Sequence, residues 1–213
     1  MPTETAPRRP YRSTRRAEQA AATRRDVIAA AVESFAARGF AATTLQSVAD
    51  RAGVAVETVY ATFKTKKRLV REAYEASVVG DAEPVALADR PEYAALGTGS
   101  RAARLAAGVR MTCDVHVRSA PLWSALVAAA AGDDEVAGWL RELEANRRAE
   151  VARATALIFD TTVDPTTLDL LVALLGPELF VKLTREMGWD VDRYGRELSR
   201  LVTLMVEDDA ASR

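Results

Sequence analysis

The sequence predicts an all-α protein, with a small basic N-terminal three-helix unit and a larger acidic helical region. Three observations carry the prediction. Apolar residues recur at helical spacing over most of the chain, and no segment reads convincingly as a strand. Glycine and proline punctuate these stripes where helices stop and start. Charge is split along the chain: residues 1–75 hold 14 basic and 8 acidic side chains and residues 76–213 hold 15 and 22, although the formal net charge is only -1.

Taken in order, residues 1–21 contain Pro2, Pro7, Pro10 and many arginines, and are expected to be a disordered basic arm, at least without a partner. From about 23 to 37, Val27, Ile28, Ala31, Val32 and Phe35 make a helical stripe that Gly39 stops. Thr43 offers an N-cap, with Gln46 three residues on completing a capping-box pattern. Leu45, Val48, Ala49 and Ala52 give a two-turn helix that Gly53 ends. A third short helix, roughly 55–61, buries Val59, and Phe63 closes the unit. A fourth runs from about 66 to 79 with Leu69, Val70, Ala73 and Tyr74 inward.

Residues 80–99, with Gly80, Pro84, Pro91, Gly97 and Gly99, read as a long loop. Helices are then expected over 101–118, over 121–131 beginning at Pro121, and over about 134–158 capped by Asp133 or Asp134. Asp164 followed by Pro165 caps another helix to Leu175. Gly176-Pro177 interrupts it, a segment continues to Met187, and Asp190 caps the last helix to about 207.

Composition excludes several classes. Apolar residues make up 49%, enough for a core. One Cys and one His rule out a disulfide framework and any metal site built on paired imidazoles or several thiolates, so no metal or cofactor is expected. No apolar run approaches the roughly 18 residues of a membrane span, and the N-terminus lacks the apolar core of a secretory signal. A cytoplasmic protein without a membrane partner is expected. Cys113 and His116 lie one turn apart on one helix, but no orienting group or oxyanion site accompanies them, so catalysis is not expected.

The two short helices joined by a glycine-containing turn have helix-turn-helix spacing, about 44–63. In such a motif the second helix enters the DNA major groove with its N-terminal side chains. Glu57, Thr58, Ala61 and Thr62 are small or polar, as an exposed reading face requires. An ordinary helical hairpin has the same spacing. A second reading therefore stands beside DNA binding: a helical small-molecule-binding protein or enzyme whose basic arm is incidental.

The stretch TRRDVIAAAVESFAARGFAATTLQSVADRAGVAVETVYATFKTKKRLVREAYE resembles the DNA-binding domain of the tetracycline-repressor (TetR) family of transcriptional regulators. The pieces that carry the resemblance are F-x-x-x-G-F-x-x-T-T, A-x-x-A-G-V, T-V-Y-x-x-F and K-x-K-K-x-L-V, in that order and spacing. A later stretch, L-L-G-P-E-L-F with G-W and R-Y beyond it, is similar to regulatory domains of the family. The resemblance implies a homodimeric, ligand-responsive repressor that binds a palindromic operator in double-stranded DNA and leaves it when a small-molecule effector binds. It divides the chain into the arm, a DNA-binding domain over 22–80, and a regulatory and dimerisation domain over 81–213.

The resemblance also implies residue roles. Thr43 caps helix two and Thr44 reaches a phosphate. Ala55, Val56, Glu57 and Thr58 face base edges, where Glu57 can accept from cytosine and Ala55 or Val56 can touch a thymine methyl. Tyr60, Lys64 and Lys66 contact phosphates. Ala55 stands where many members have a capping Ser, and Ala61-Thr62 where many have an Arg-His or Trp-His pair. In the C-terminal region Cys113, His116, Trp123, Trp139, Arg147 and Phe180 are the candidate effector contacts, in a mostly apolar pocket. The wide apolar face of the last helix (Tyr194, Leu198, Leu201, Val202, Met205), with Phe180, is the candidate dimer interface.

Overall fold

The structure, a computed structural model, describes residues 11–81 and 90–212, with side chains from residue 15. The chain begins in α1 (Tyr11–Ala42), kinked at Gly39, whose φ of 72° only glycine adopts readily. Residues 11–21, expected as part of a disordered arm, are helical. Ala17, Ala20, Ala21 and Ala22 are strong helix formers, and a helix already nucleated at the buried Val27–Phe35 stripe propagates through them at little cost. Residues 1–10 of that arm lie outside the described residues.

Two short helices follow, α2 (Leu45–Ala52) and α3 (Val56–Phe63), separated by Gly53 in the left-handed region. The fourth, α4 (Lys66–Val79), is capped by Thr65 at its start and Gly80 at its end. The expected long loop is partly helical where it is described. A single turn, α5 (Pro91–Ala94), continues into a 3₁₀ turn over Ala95–Gly97. Tyr93 and Leu96 are buried there, and that burial orders a segment whose Gly and Pro content reads as loop.

Residues 101–131, expected as two helices, form one, α6 (Arg101–Ala130), with Pro121 inside it. A proline within a helix costs about 3 kcal/mol through a lost hydrogen bond and a clash. Here the buried side chains of Ala120, Leu122, Trp123 and Leu126 hold the helix on both sides of the ring and offset that cost. Asp133 caps α7 (Asp134–Phe159), accepting from the backbone N–H groups of Glu135 and Val136. Then come α8 (Pro165–Leu174), capped by Asp164, and α9 (Pro177–Val181), which widens into a π-helical turn over Lys182–Glu186. The last helix is α10 (Val191–Ala211), capped by Asp190.

Two apolar cores organise these elements. The first gathers Phe35, Val59, Phe63 and Leu69 from α1, α3 and α4 with Leu122, Leu126 and Trp139 from α6 and α7. The second joins α6 and α7 to α8, α9 and α10 through Leu96, Leu171, Phe180, Tyr194 and Leu198. The basic N-terminal unit therefore does not hang from the rest by a linker. Its core continues into α6 and α7, so a shift of those helices is felt by α4.

Candidate nucleic-acid interface and cavity

The N-terminus of α2 is fixed by Thr44. Its hydroxyl accepts from Ser47 N at 3.0 Å, while Ser47 Oγ accepts from Thr44 N at 3.1 Å. This reciprocal box is shifted by one residue from the expected one: Thr43 is not the cap, and Gln46 bonds Asp50 instead. Thr43 is fully buried and donates to the carbonyls of Ser34 at 3.1 Å and Gly39 at 2.8 Å, so it locks the kinked end of α1 and cannot touch DNA. With two adjacent threonines ahead of Leu45, either satisfies the sequence pattern, and burial decides between them. Thr44 is exposed, and its O–H remains to donate.

On α3, Val59 and Phe63 point into the core and Glu57, Tyr60 and Ala61 stand exposed, with Val56 and Thr58 half-buried. Ala55 at the N-cap position makes no side-chain bond, leaving the first amides of α3 open to water or to an anion. Lys64 is exposed at the end of α3 with φ 64°. The exposed α3 face and the Thr44 end of α2 thus present short polar groups and a phenol on one side of a helix pair, the geometry of a helix-turn-helix reading head.

The charge of this region is less available than a count suggests. Arg24 and Arg68 bind Glu72, Arg51 binds Glu33, Arg71 binds Glu75, and Lys67 binds Asp133 and Glu135. Among the described residues Arg15, Arg16, Arg25, Arg38 and Lys64 make no ion pair. Lys66, expected on a phosphate, is half-buried. Its ammonium donates to Phe40 O at 2.9 Å and sits 4.3 Å from the Phe40 ring centroid, tying the end of α1 to α4. Lys66→Ala is expected to cost about 1–2 kcal/mol of stability in a urea melt, from the lost charged hydrogen bond and cation–π contact. A lysine serving phosphate only would leave the melt unchanged.

Between α4, α6 and α7, closed at one end by α5 and its 3₁₀ turn, lies a cavity of about 540 Å³. Leu105, Val109, Leu143, His116, Trp123 and Arg147 line it, joined by Tyr74, Val78 and Val79 of α4, Tyr93, and Glu144 and Glu150 of α7. Three expected contacts are not on its wall. Cys113 is buried, and Gly195 of α10 approaches so closely that an added Cβ would meet its sulfur at 3.4 Å. Trp139 belongs to the first core, edge-on to Tyr74 with centroids 6.0 Å apart. Phe180 packs on His116 and Tyr194 at 5.3 and 5.1 Å. Helical spacing marks which side chains point inward, but a densely packed core and a cavity wall share that spacing. The α4 contribution was missed because Tyr74 reads from sequence only as core, and Tyr93 because its segment reads as loop.

Arg147 is held by Glu144 and, at 3.4 Å, by Glu178. Burial, and secondarily the Arg147 charge, lower the His116 pKa to about 4, so its ring is neutral at pH 7. Because the folded value lies below the ordinary 6.5, this term stabilises the protein above about pH 6.5 and is lost as pH falls toward 4. Wild type is expected to lose about 3 kcal/mol more between pH 7 and pH 4 than His116→Phe, compared by urea unfolding. Equal losses would contradict the buried, neutral imidazole.

The expected dimer residues divide. Phe180, Tyr194, Leu198 and Val202 are all buried within the protein's own second core and cannot meet a partner. Met205 is half-buried. Leu201 and Leu204 are 36% and 51% exposed, and Leu170 on the adjacent α8 is 56% exposed. The apolar face of α10 is wide because it has an inner and an outer stripe, and periodicity does not say which stripe faces out.

The fold and the α2–α3 geometry define a helix-turn-helix protein with a helical cavity domain. The family model of bacterial regulatory proteins, tetR family, matches residues 27–73, the stretch that holds α2, α3 and most of α4. Solved structures share its fold. A transcriptional regulator from Rhodococcus sp. Rha1, 18% identical, superposes with a TM-score of 0.64 over 87% of this chain and 96% of that one. A member of the TetR family from Streptomyces coelicolor A3, 22% identical, superposes with a TM-score of 0.59 over 84% and 97%. A search of curated proteins finds none that matches. Among the described residues no helix is long and apolar enough to cross a membrane.

Proposed function

We propose that the protein is a homodimeric repressor in the cytoplasm that holds a palindromic operator through α2 and α3 and releases it when a small, mostly apolar effector enters the cavity. The observation that supports this best is the double duty of α4. Its first turn carries Lys66 against the end of α1, and its last turns place Tyr74, Val78 and Val79 on the cavity wall. Lys67, from the same first turn, is bound to Asp133 at 2.7 Å and Glu135 at 3.0 Å at the start of α7. A ligand wedged between α4, α6 and α7 therefore strains the element on which the reading head is mounted. For release, the ligand must bind the non-DNA conformation more tightly, typically by about 1–3 kcal/mol, and operator must weaken the ligand by the same factor.

Thr44, Tyr60, Lys64 and the unpaired arginines of α1 are the proposed phosphate contacts, and Val56, Glu57 and Thr58 the proposed base contacts. The outer faces of α8 and α10 are the proposed dimer contact. An electrophoretic shift with DNA from upstream of the protein's own gene tests the reading. About 8 phosphate contacts per dimer should give a log–log salt slope near -7. Binding without salt dependence, or no binding at low salt, would overturn it.

A further inference from the structure

The exposed stripe of α3 is charged at its N-terminal end, and the charge is negative. Glu57, Tyr60 and Ala61 recur at the spacing that puts them on one side of the helix, away from the buried Val59 and Phe63. Glu57 stands in the first turn, where the second helix of a helix-turn-helix reaches base edges. The helix itself, VETVYATF, holds no Lys or Arg, the side chains that read guanine. Lys64 follows only past its C-terminal end, about 10 Å along the axis from Glu57. In the same N-terminal unit Glu33, Glu72 and Glu75 are each matched by an arginine. Among the described residues nothing pairs with the Glu57 carboxylate, and its side chain makes no hydrogen bond. An unmatched carboxylate on a face that meets DNA is repelled by the phosphates. Over the bases it is also repelled by the acceptors of guanine (O6, N7) and thymine (O4). Adenine offers a donor at N6 but sets the N7 acceptor beside it. Cytosine offers the N4 amino group without an adjacent acceptor in the major groove.

We infer that Glu57 is the specificity-determining residue of the reading head and works by discrimination. It selects a cytosine in each operator half-site by accepting from the N4 amino group. It lowers the affinity for other sequences, because there its charge faces only phosphates and base acceptors. The inference rests on the operator reading of α2 and α3, and adds which base the head selects and what that selection costs in affinity.

Parallel selections from a pool of random duplexes with wild type, Glu57→Gln and Glu57→Ala test it. Affinities for the selected duplex and for a scrambled duplex of the same composition are then read by fluorescence anisotropy. Wild type should enrich a cytosine at one position of each half-site. Glutamine bonds adenine through N6 and N7, so Glu57→Gln should move that position to adenine, and Glu57→Ala should leave it open, with the other positions unchanged. Replacing that C·G pair in both half-sites should weaken wild type about 100-fold, roughly tenfold per mismatch, and Glu57→Ala less than about threefold. On the scrambled duplex both variants should bind about fivefold more tightly than wild type, since two carboxylates per dimer no longer oppose the phosphates. The same base preference in all three proteins overturns the inference and leaves the operator reading standing. Variants that bind the scrambled duplex no more tightly than wild type also overturn it. No enrichment by any of the three refutes the operator reading, and the inference falls with it.

Discussion

Leu201→Glu combined with Leu204→Glu is expected to yield a folded monomer whose operator affinity is lower by roughly three orders of magnitude or more. Both leucines are exposed on the outer stripe of α10, so glutamate in the isolated chain costs little. In the proposed dimer the same positions would be buried against a second copy. Two carboxylates per subunit would then lie unpaired in apolar surroundings, at several kcal/mol each. A monomer keeps one reading head and half the phosphate contacts. Specific affinities of about 10⁻⁸ to 10⁻¹¹ M are built from both halves, so losing one half removes much of the free energy. Sedimentation velocity and circular dichroism read the outcome together. A variant that still sediments as a dimer would place the interface elsewhere.

Trp139→Ala is expected to destabilise the protein by about 3–5 kcal/mol, the range for removing a large buried aromatic. Trp139 is 6% exposed, lies edge-on to Tyr74 and carries the Arg71 guanidinium 5.4 Å from its ring centroid. It joins α7 to α4 alongside the Lys67 pairs with Asp133 and Glu135. For a chain of this size the melting temperature should fall by roughly 6–20 °C, and Trp139→Phe should recover much of the loss. A shift under about 3 °C would mean that α4 and α7 are not packed as described.

Much of this fold was legible in residue spacing. The helix over Lys66–Val79 and the aspartate caps of α7, α8 and α10 follow from local chemistry that the sequence carries openly. The failures share one cause, which is tertiary burial overriding a local sign. Pro121 marks a helix start until Leu122, Trp123 and Leu126 on its far side are packed into the first core. The Gly- and Pro-rich stretch around Tyr93 reads as loop until that ring and Leu96 are buried. Thr43 and Thr44 are equal candidates for a cap until one hydroxyl is enclosed by the carbonyls of Ser34 and Gly39.

The candidate site was legible in the same uneven way. The reading head is a local structure of two short helices, so Thr44, Glu57 and Tyr60 could be placed on its exposed face from sequence. The cavity is assembled from helices far apart in the chain. His116, Trp123 and Arg147 reach its wall, whereas Cys113, Trp139 and Phe180, equally apolar and equally well spaced, are packed elsewhere. The wall of α4 could not be inferred, because nothing local distinguishes a tyrosine facing a void from one facing a leucine. Lys66 shows the converse case, a basic residue whose charge is largely spent on the protein's own backbone.

Selection of bound sequences from a pool of random duplex DNA by the purified protein tests the central claim most directly. The account predicts enrichment of an inverted repeat whose half-sites are about 34–36 Å apart or a multiple of that, matching a two-fold pair of reading heads. Enrichment should be lost with Leu201→Glu/Leu204→Glu. A pool that stays random after repeated rounds at low salt, or that converges on a site without two-fold symmetry, would contradict the account.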